Sequence, residues 1–96
     1  MNYGYARCST NDKQDIDRQI RELKAAGATE IFLEYEHGDS AVKQELSSLL
    51  AQAKEGDSIY TLEVSRLARS TKQLCEIIEK VKEKHLRLYI VGSINV

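Results

Sequence analysis

Apolar positions along this chain switch repeatedly between a strand-like and a helix-like rhythm. At Tyr3–Cys8, Gly4 and Ala6 alternate with Tyr3 and Tyr5, so one face of a predicted strand is small and open to close packing by a helix. Asn11 or Asp12 can cap the helix that follows. Ile16, Ile20 and Leu23 fall on one side of it, and Gly27 is placed to end it in a left-handed conformation. Ile31-Phe32-Leu33, a continuous apolar run within Glu30–Tyr35, suits a buried central strand. The polar stretch from Glu36 to Ser40 reads as a mobile loop. A second helix is predicted from about Ala41 to Lys54, with Leu46, Leu49, Leu50 and Ala53 on one face and Gly56-Asp57 ending it. A third strand is predicted over Ser58–Glu63. After Val64–Ser70, a third helix capped by Ser70 or Thr71 carries Leu74, Ile77, Ile78 and Val81. Leu86–Val91 is the fourth strand.

The predicted order is βαβαβαβ. Strands separated by helical crossovers imply a three-layer α/β/α fold around a mostly parallel four-stranded sheet. In such sheets ligands bind outside the carboxyl ends of the strands. Ser9 follows the first strand, and Ser65 and Arg66 follow the third, so they are expected at one sheet edge.

Composition narrows the function classes. The chain has 96 residues, 30% of them charged and 42% hydrophobic, an ordinary balance for one small globular domain. It has no apolar run of membrane-spanning length and no signal-peptide layout at its start, so a cytoplasmic location is expected. Cys8 and Cys75 are expected as thiols, and no Cys/His cluster points to a metal. A net charge of −1 argues against gripping nucleic acid by bulk electrostatics. If DNA is the substrate, cations must be focused at one site.

The candidate chemistry is at the end of the first strand. A Ser before a helix is ordinarily a cap. Arg7 changes the picture, because residues 7 and 9 of a strand point the same way, and a hydroxyl beside a guanidinium suits attack on a phosphate. Arg66 and Arg69 are three apart and would share one side of a helical turn. With Arg7 they would form a three-guanidinium cluster, which needs an anion between its members and could stabilise charge on a pentacovalent phosphorus. The alternative is an exposed arginine face and an Arg7 salt bridge to Glu34 or Glu63. Other chemistries lack their residues. Gln14 stands where a Cys-based phosphatase loop starting at Cys8 would need Arg, and no nucleotide phosphate loop is present. His85 reads as a helix-end residue, and His37 has no evident orienting partner. No residue stands out as general base for Ser9.

These residues carry a family resemblance. Tyr5-Ala6-Arg7-Cys8-Ser9-Thr10 resembles the Y-A-R-V-S-T signature of the serine recombinases, the resolvase/invertase family. Asp17-Arg18-Gln19-Ile20 with Leu23 resembles that family's D-x-Q-x-x-x-L helix. Gly56-Asp57, followed by a strand and Ser65-Arg66-Leu67-Ala68-Arg69, resembles its G-D and D/S-R-L-x-R block. The resemblance implies a resolvase-like fold and a site-specific DNA recombinase. Ser9 would form a 5′-phosphoserine link to DNA and release a 3′-hydroxyl, and strand exchange and religation would follow without metal or ATP. Arg7, Arg66 and Arg69 match the family's catalytic arginines. Gln19, Gln14, Lys43 and Ser65 match further phosphate- or DNA-facing positions. Three departures stand out: Ser65 replaces a common Asp, Lys43 replaces a common Arg, and the stretch between Ser9 and Gln19 is one residue longer.

By the same resemblance, residues 1–96 form a catalytic core that stops before a long dimerisation helix and any DNA-binding module. The full-length protein is then expected to be a homodimer that synapses as a homotetramer, in a bacterial or mobile-element setting. The fragment alone is expected to be monomeric and inactive. Two rival readings stand beside this one. In the first, a non-catalytic α/β module docks a phosphate or a partner through its arginines. In the second, the domain is purely structural.

Overall fold

Strand β1 (Asn2–Ser9) is central in a four-stranded parallel sheet of order β2-β1-β3-β4. The computed structural model describes residues 1–9, 12–36, 44–68 and 70–91, without the side chains of Ser9 and Glu36. From β1 the chain passes through α1 (Lys13–Ala26) to β2 (Glu30–Glu36), then through α2 (Gln44–Gln52) to β3 (Ser58–Thr61). A four-residue helix α3 (Val64–Leu67) and α4 (Thr71–Glu83) lead to β4 (Arg87–Ile90). The chain steps from β1 to β2 in one direction and from β2 to β3 in the other. Right-handed crossovers then place α1 on one face of the sheet and α2 and α4 on the opposite face.

The two faces have separate cores. Tyr3, Tyr5, Phe32 and Ile59 pack with Leu46, Leu49 and Leu50 of α2 and Ile77 and Val81 of α4. On the other face Ala6, Leu23, Ala28 and Leu62 pack together, with Ile31 and Leu33 against them. The small face expected on β1 is used here. A Cβ on Gly4 would lie 2.7 Å from Ile31 Cδ1 and 3.1 Å from the Ala28 Cβ, so any side chain would have to displace the Ile31 side chain and crowd Ala28.

Local signals act as expected at most element ends. Asp12 caps α1 by accepting a hydrogen bond from the Asp15 amide at 3.0 Å, and Gly27 ends that helix at φ 124°. Ser70 caps α4, its Oγ accepting from the Gln73 amide at 3.2 Å. His85 follows the C-cap of α4 at φ 57°, a left-handed position that costs most L-residues energy. Helix α2 is held at both ends by charges from other elements. Glu34 Oε1 accepts from the Glu45 and Leu46 amides at 3.1 and 3.3 Å. Lys84 Nζ donates to the carbonyls of Leu50, Ala51 and Ala53. An anion at the N-terminus and a cation at the C-terminus both complement the helix dipole.

Several expectations shift. The third strand ends at Thr61 rather than at residue 63. The helical turn that carries Arg66 stops at Leu67, and Ala68 is extended at φ −147°, ψ 148°; the expected pairing of Arg66 with Arg69 falls on residue 69, outside the described residues. Ile16 and Ile20 are only half-buried, and Gln19 is fully buried beside Leu23. Cys8 is buried, Cys75 is exposed, and no disulfide joins them. The expected mobile loop lies outside the described residues beyond Glu36, as does the predicted start of α2 before Gln44. Among the described residues no helix is long and apolar enough to cross a membrane.

Candidate active site at the end of the first strand

The sheet changes winding direction between β1 and β3, which opens a crevice at their carboxyl ends. β1 runs beside β2 as far as Ser9, which pairs with Glu36, but its last described pairing with β3 is Gly4 with Tyr60. Helix α3 fills the space beyond the end of β3. The end of β1 is therefore served by side chains rather than by a neighbouring strand on that side.

Arg7 and Arg66 hold each other's segments in place. Arg7 is buried, and its guanidinium donates to the Ser65 carbonyl. Arg66 Nη1 donates back to the Arg7 carbonyl at 3.1 Å. Gln19, 0% exposed, donates to that same carbonyl at 3.2 Å through Nε2. A buried carbonyl needs a donor, and here two separate elements supply one.

Asp15 closes the arrangement. Its Oδ2 accepts from Gln19 Nε2 at 2.9 Å, and its Oδ1 accepts from Arg18 Nη2 at 2.9 Å. Arg66 Nη2 lies 3.3 Å from Oδ2 and 3.4 Å from Oδ1. Burial pushes the Asp15 carboxyl up. The Arg18 hydrogen bond, the Arg66 charge, the Gln19 hydrogen bond and the Arg18 charge together outweigh burial and hold it below its ordinary 3.8. Asp15 escapes sequence reasoning because an acid in a helix's first turn is ordinary. Its one legible signal is the spacing to Gln19, four residues on and on the same helix face.

The other expected site residues divide. Ser65 is exposed, and its Oγ donates to Glu63 Oε2 at 3.3 Å. Gln14 is exposed in the first turn of α1. Lys43, Arg69 and the side chain of Ser9 lie outside the described residues. Of the predicted set, the structure brings Arg7, Arg66 and Gln19 together around one carbonyl, two residues before Ser9. No group of three or more His, Cys, Asp or Glu side chains that could hold a metal ion occurs among the described residues.

The chain as a whole is similar to known proteins. The family model described as "Resolvase, N terminal domain" matches residues 2–95. The chain is 38% identical over 81 residues to a probable DNA-invertase of Sinorhizobium fredii, covering 84% of this chain and 26% of that protein. It is 39% identical over 80 residues to the transposon Tn3 resolvase of Escherichia coli, covering 81% of this chain and 43% of the resolvase. The chain thus spans less than half the length of either relative. Its fold is similar to the C-terminal catalytic domain of ISC1926 TnpA, an IS607-like serine recombinase. That likeness has a TM-score of 0.79 at 19% identity and covers 99% of this chain and 69% of that one.

Proposed function

Because this chain belongs to the resolvase N-terminal domain family, we propose that it is the catalytic domain of a site-specific DNA recombinase and that Ser9 is its nucleophile. The observation that supports this best is the reciprocal hold of Arg7 and Arg66 at the end of β1, beside the position of Ser9. The Ser9 hydroxyl attacks a backbone phosphorus. A Ser9 Oγ–P bond forms, the P–O3′ bond breaks, and the released oxygen takes a proton to become a 3′-hydroxyl. The 5′-phosphate stays on Ser9. Religation reverses the step, with a 3′-hydroxyl of the partner strand as nucleophile, so bond energy is conserved without ATP.

Arg7, Arg66 and Arg69 neutralise the phosphate as charge develops on its oxygens. Preorganised donors of this kind act where water is excluded and do not reorganise during the step. Arg66 is held by Arg7 and Asp15 before substrate arrives, which is the preorganisation such a site needs. Lys43, Gln14 and Ser65 are proposed to contact the DNA backbone around the attacked phosphate. Gln19, fully buried, is proposed to act by fixing the Arg7 carbonyl. With one Ser9 per copy, breaking all four strands of two duplexes requires four copies, so we propose that exchange occurs in a tetramer assembled from dimers.

The test uses a graft in which this chain replaces the matched segment of the Tn3 resolvase. On a nicked suicide substrate the graft is expected to form a covalent protein–DNA adduct. Ser9→Ala should abolish that adduct while leaving thermal unfolding unchanged. An adduct that persists in Ser9→Ala excludes Ser9 as nucleophile.

A further inference from the structure

The side chains around the Arg7 carbonyl form a closed ring. Asp15 accepts from Gln19, Gln19 donates to the Arg7 carbonyl, Arg66 donates to that same carbonyl, and Arg66 returns to Asp15. The ring joins α1, β1 and α3, the three elements that frame the site. Asp15 is 15% exposed and Arg66 25% exposed, so the contact between them is not a solvated surface pair of the kind that contributes little. Arg66 Nε is buried and has no hydrogen-bond partner among the described residues. Arg66 instead donates through Nη1 to the Arg7 carbonyl and through Nη2 to Asp15. Arg18, on the exposed side of Asp15, bonds Asp15 and Glu22 at 2.9 and 3.2 Å, which keeps the carboxylate charged and fixed.

We propose that Asp15 is a positioning residue for strand cleavage: it seats Arg66 at the attacked phosphate without touching DNA itself. This rests on the recombinase reading above, which gives Arg66 its role. Two effects of the carboxylate oppose each other, and they separate in a measurement. Its charge weakens the pull of the arginines on an incoming phosphate. Its hydrogen bonds fix the guanidinium that must meet the transition state. Loss of the charge therefore leaves DNA binding equal or tighter while slowing the chemical step. A merely structural residue would lose both together.

The test has two arms. On this 96-residue chain, NMR of the Arg66 Nη resonances, which rotation about the Cζ–Nε bond exchanges, reads the mobility of the guanidinium. Rotation is expected to be restricted in wild type and Asp15→Glu and released in Asp15→Asn and Asp15→Ser. Rotation equally restricted in both Asp15→Asn and Asp15→Ser overturns the proposal. In the Tn3 graft, Asp15→Asn is expected to slow adduct formation about tenfold or more, about 1.4 kcal/mol. DNA affinity should be unchanged or higher, with Asp15→Glu restoring most of the rate. A wild-type rate in Asp15→Asn overturns the role of Asp15 and leaves the recombinase reading intact. A wild-type graft that never forms an adduct overturns that reading, and the NMR arm still decides whether Asp15 seats Arg66.

Discussion

Helix α2 offers a measurable test of how this small fold is held together, through Lys84→Met. The Lys84 ammonium donates to the Leu50 carbonyl and, at 3.3 Å each, to those of Ala51 and Ala53. These carbonyls lie at the end of the helix and have no helical amide to receive. The Ala51 contact is exposed and the other two are part-buried, so water can replace the first far more readily than the others. A cation in a partly buried contact with a helix C-terminus contributes up to about 2 kcal/mol. Hydrogen bonds to a charged group fall in a range of about 1.5–3 kcal/mol. Methionine keeps the length and apolar stem of lysine and removes only the charge and the donors. The expected loss is therefore about 2 kcal/mol. Unfolding entropy of about 2.1 cal/mol/K per residue converts that loss into a Tm lower by about 10 °C for a domain of this size. Thermal and urea unfolding followed by circular dichroism would read it. Because two of the contacts are part-buried, the difference should persist in high salt. A loss under about 0.5 kcal/mol, the scale of an exposed ion pair, would mean that Lys84 does not hold the end of α2.

Three further outcomes follow from the same structure. Glu34→Leu removes the acceptor for the Tyr5 hydroxyl and the Glu45 and Leu46 amides and should cost about 3 kcal/mol or more, whereas Glu34→Gln, which keeps an acceptor, should cost about 1 kcal/mol; equal losses in urea unfolding would contradict this. His85→Gly relieves the left-handed backbone at φ 57° and should raise stability by about 0.5 kcal/mol after the entropy of glycine is subtracted, while His85→Val should lower it. Asp15 has a depressed pKa, so its contribution to stability is complete above its ordinary 3.8 and is lost as pH falls through the lower folded value. Unfolding midpoints followed from pH 6 to pH 2, on the scale set by ordinary carboxyl values, should therefore fall more steeply in wild type than in Asp15→Asn, and identical slopes would show that Asp15 is not the group responsible.

The placement of the site was largely legible in the sequence, because alternation of strands and helices forces parallel strands and so gathers their carboxyl ends at one edge. Strand order alone is enough to bring Arg7 and Arg66 together. The end of α3 is not legible in the same way. Nothing in Val64–Arg69 marks a stop after Leu67, since the break at Ala68 uses neither Gly nor Pro. Gln19 shares a helix face with Leu23, so its burial could be read from spacing. Its purpose could not, because that depends on a carbonyl left over where β1 outruns β3. Lys84 is silent in sequence, an ordinary charged residue whose acceptors belong to another element. Glu34 and Asp15 give only partial signals, because the amides that Glu34 accepts from and the Arg66 that Asp15 meets come from other elements.

Mapping the covalent bond itself shows most directly whether Ser9 carries the DNA. The Tn3 graft is trapped on a nicked suicide substrate, digested with nuclease and trypsin, and sequenced by mass spectrometry. Cleavage after Arg7 and Lys13 isolates residues 8–13, a peptide in which Ser9 and Thr10 are the only hydroxyl-bearing side chains. A phosphonucleotide on Ser9 is expected, with a free 3′-hydroxyl on the released strand. A phosphonucleotide on Thr10 or on any other residue, or a 3′-phosphate linkage, would contradict it.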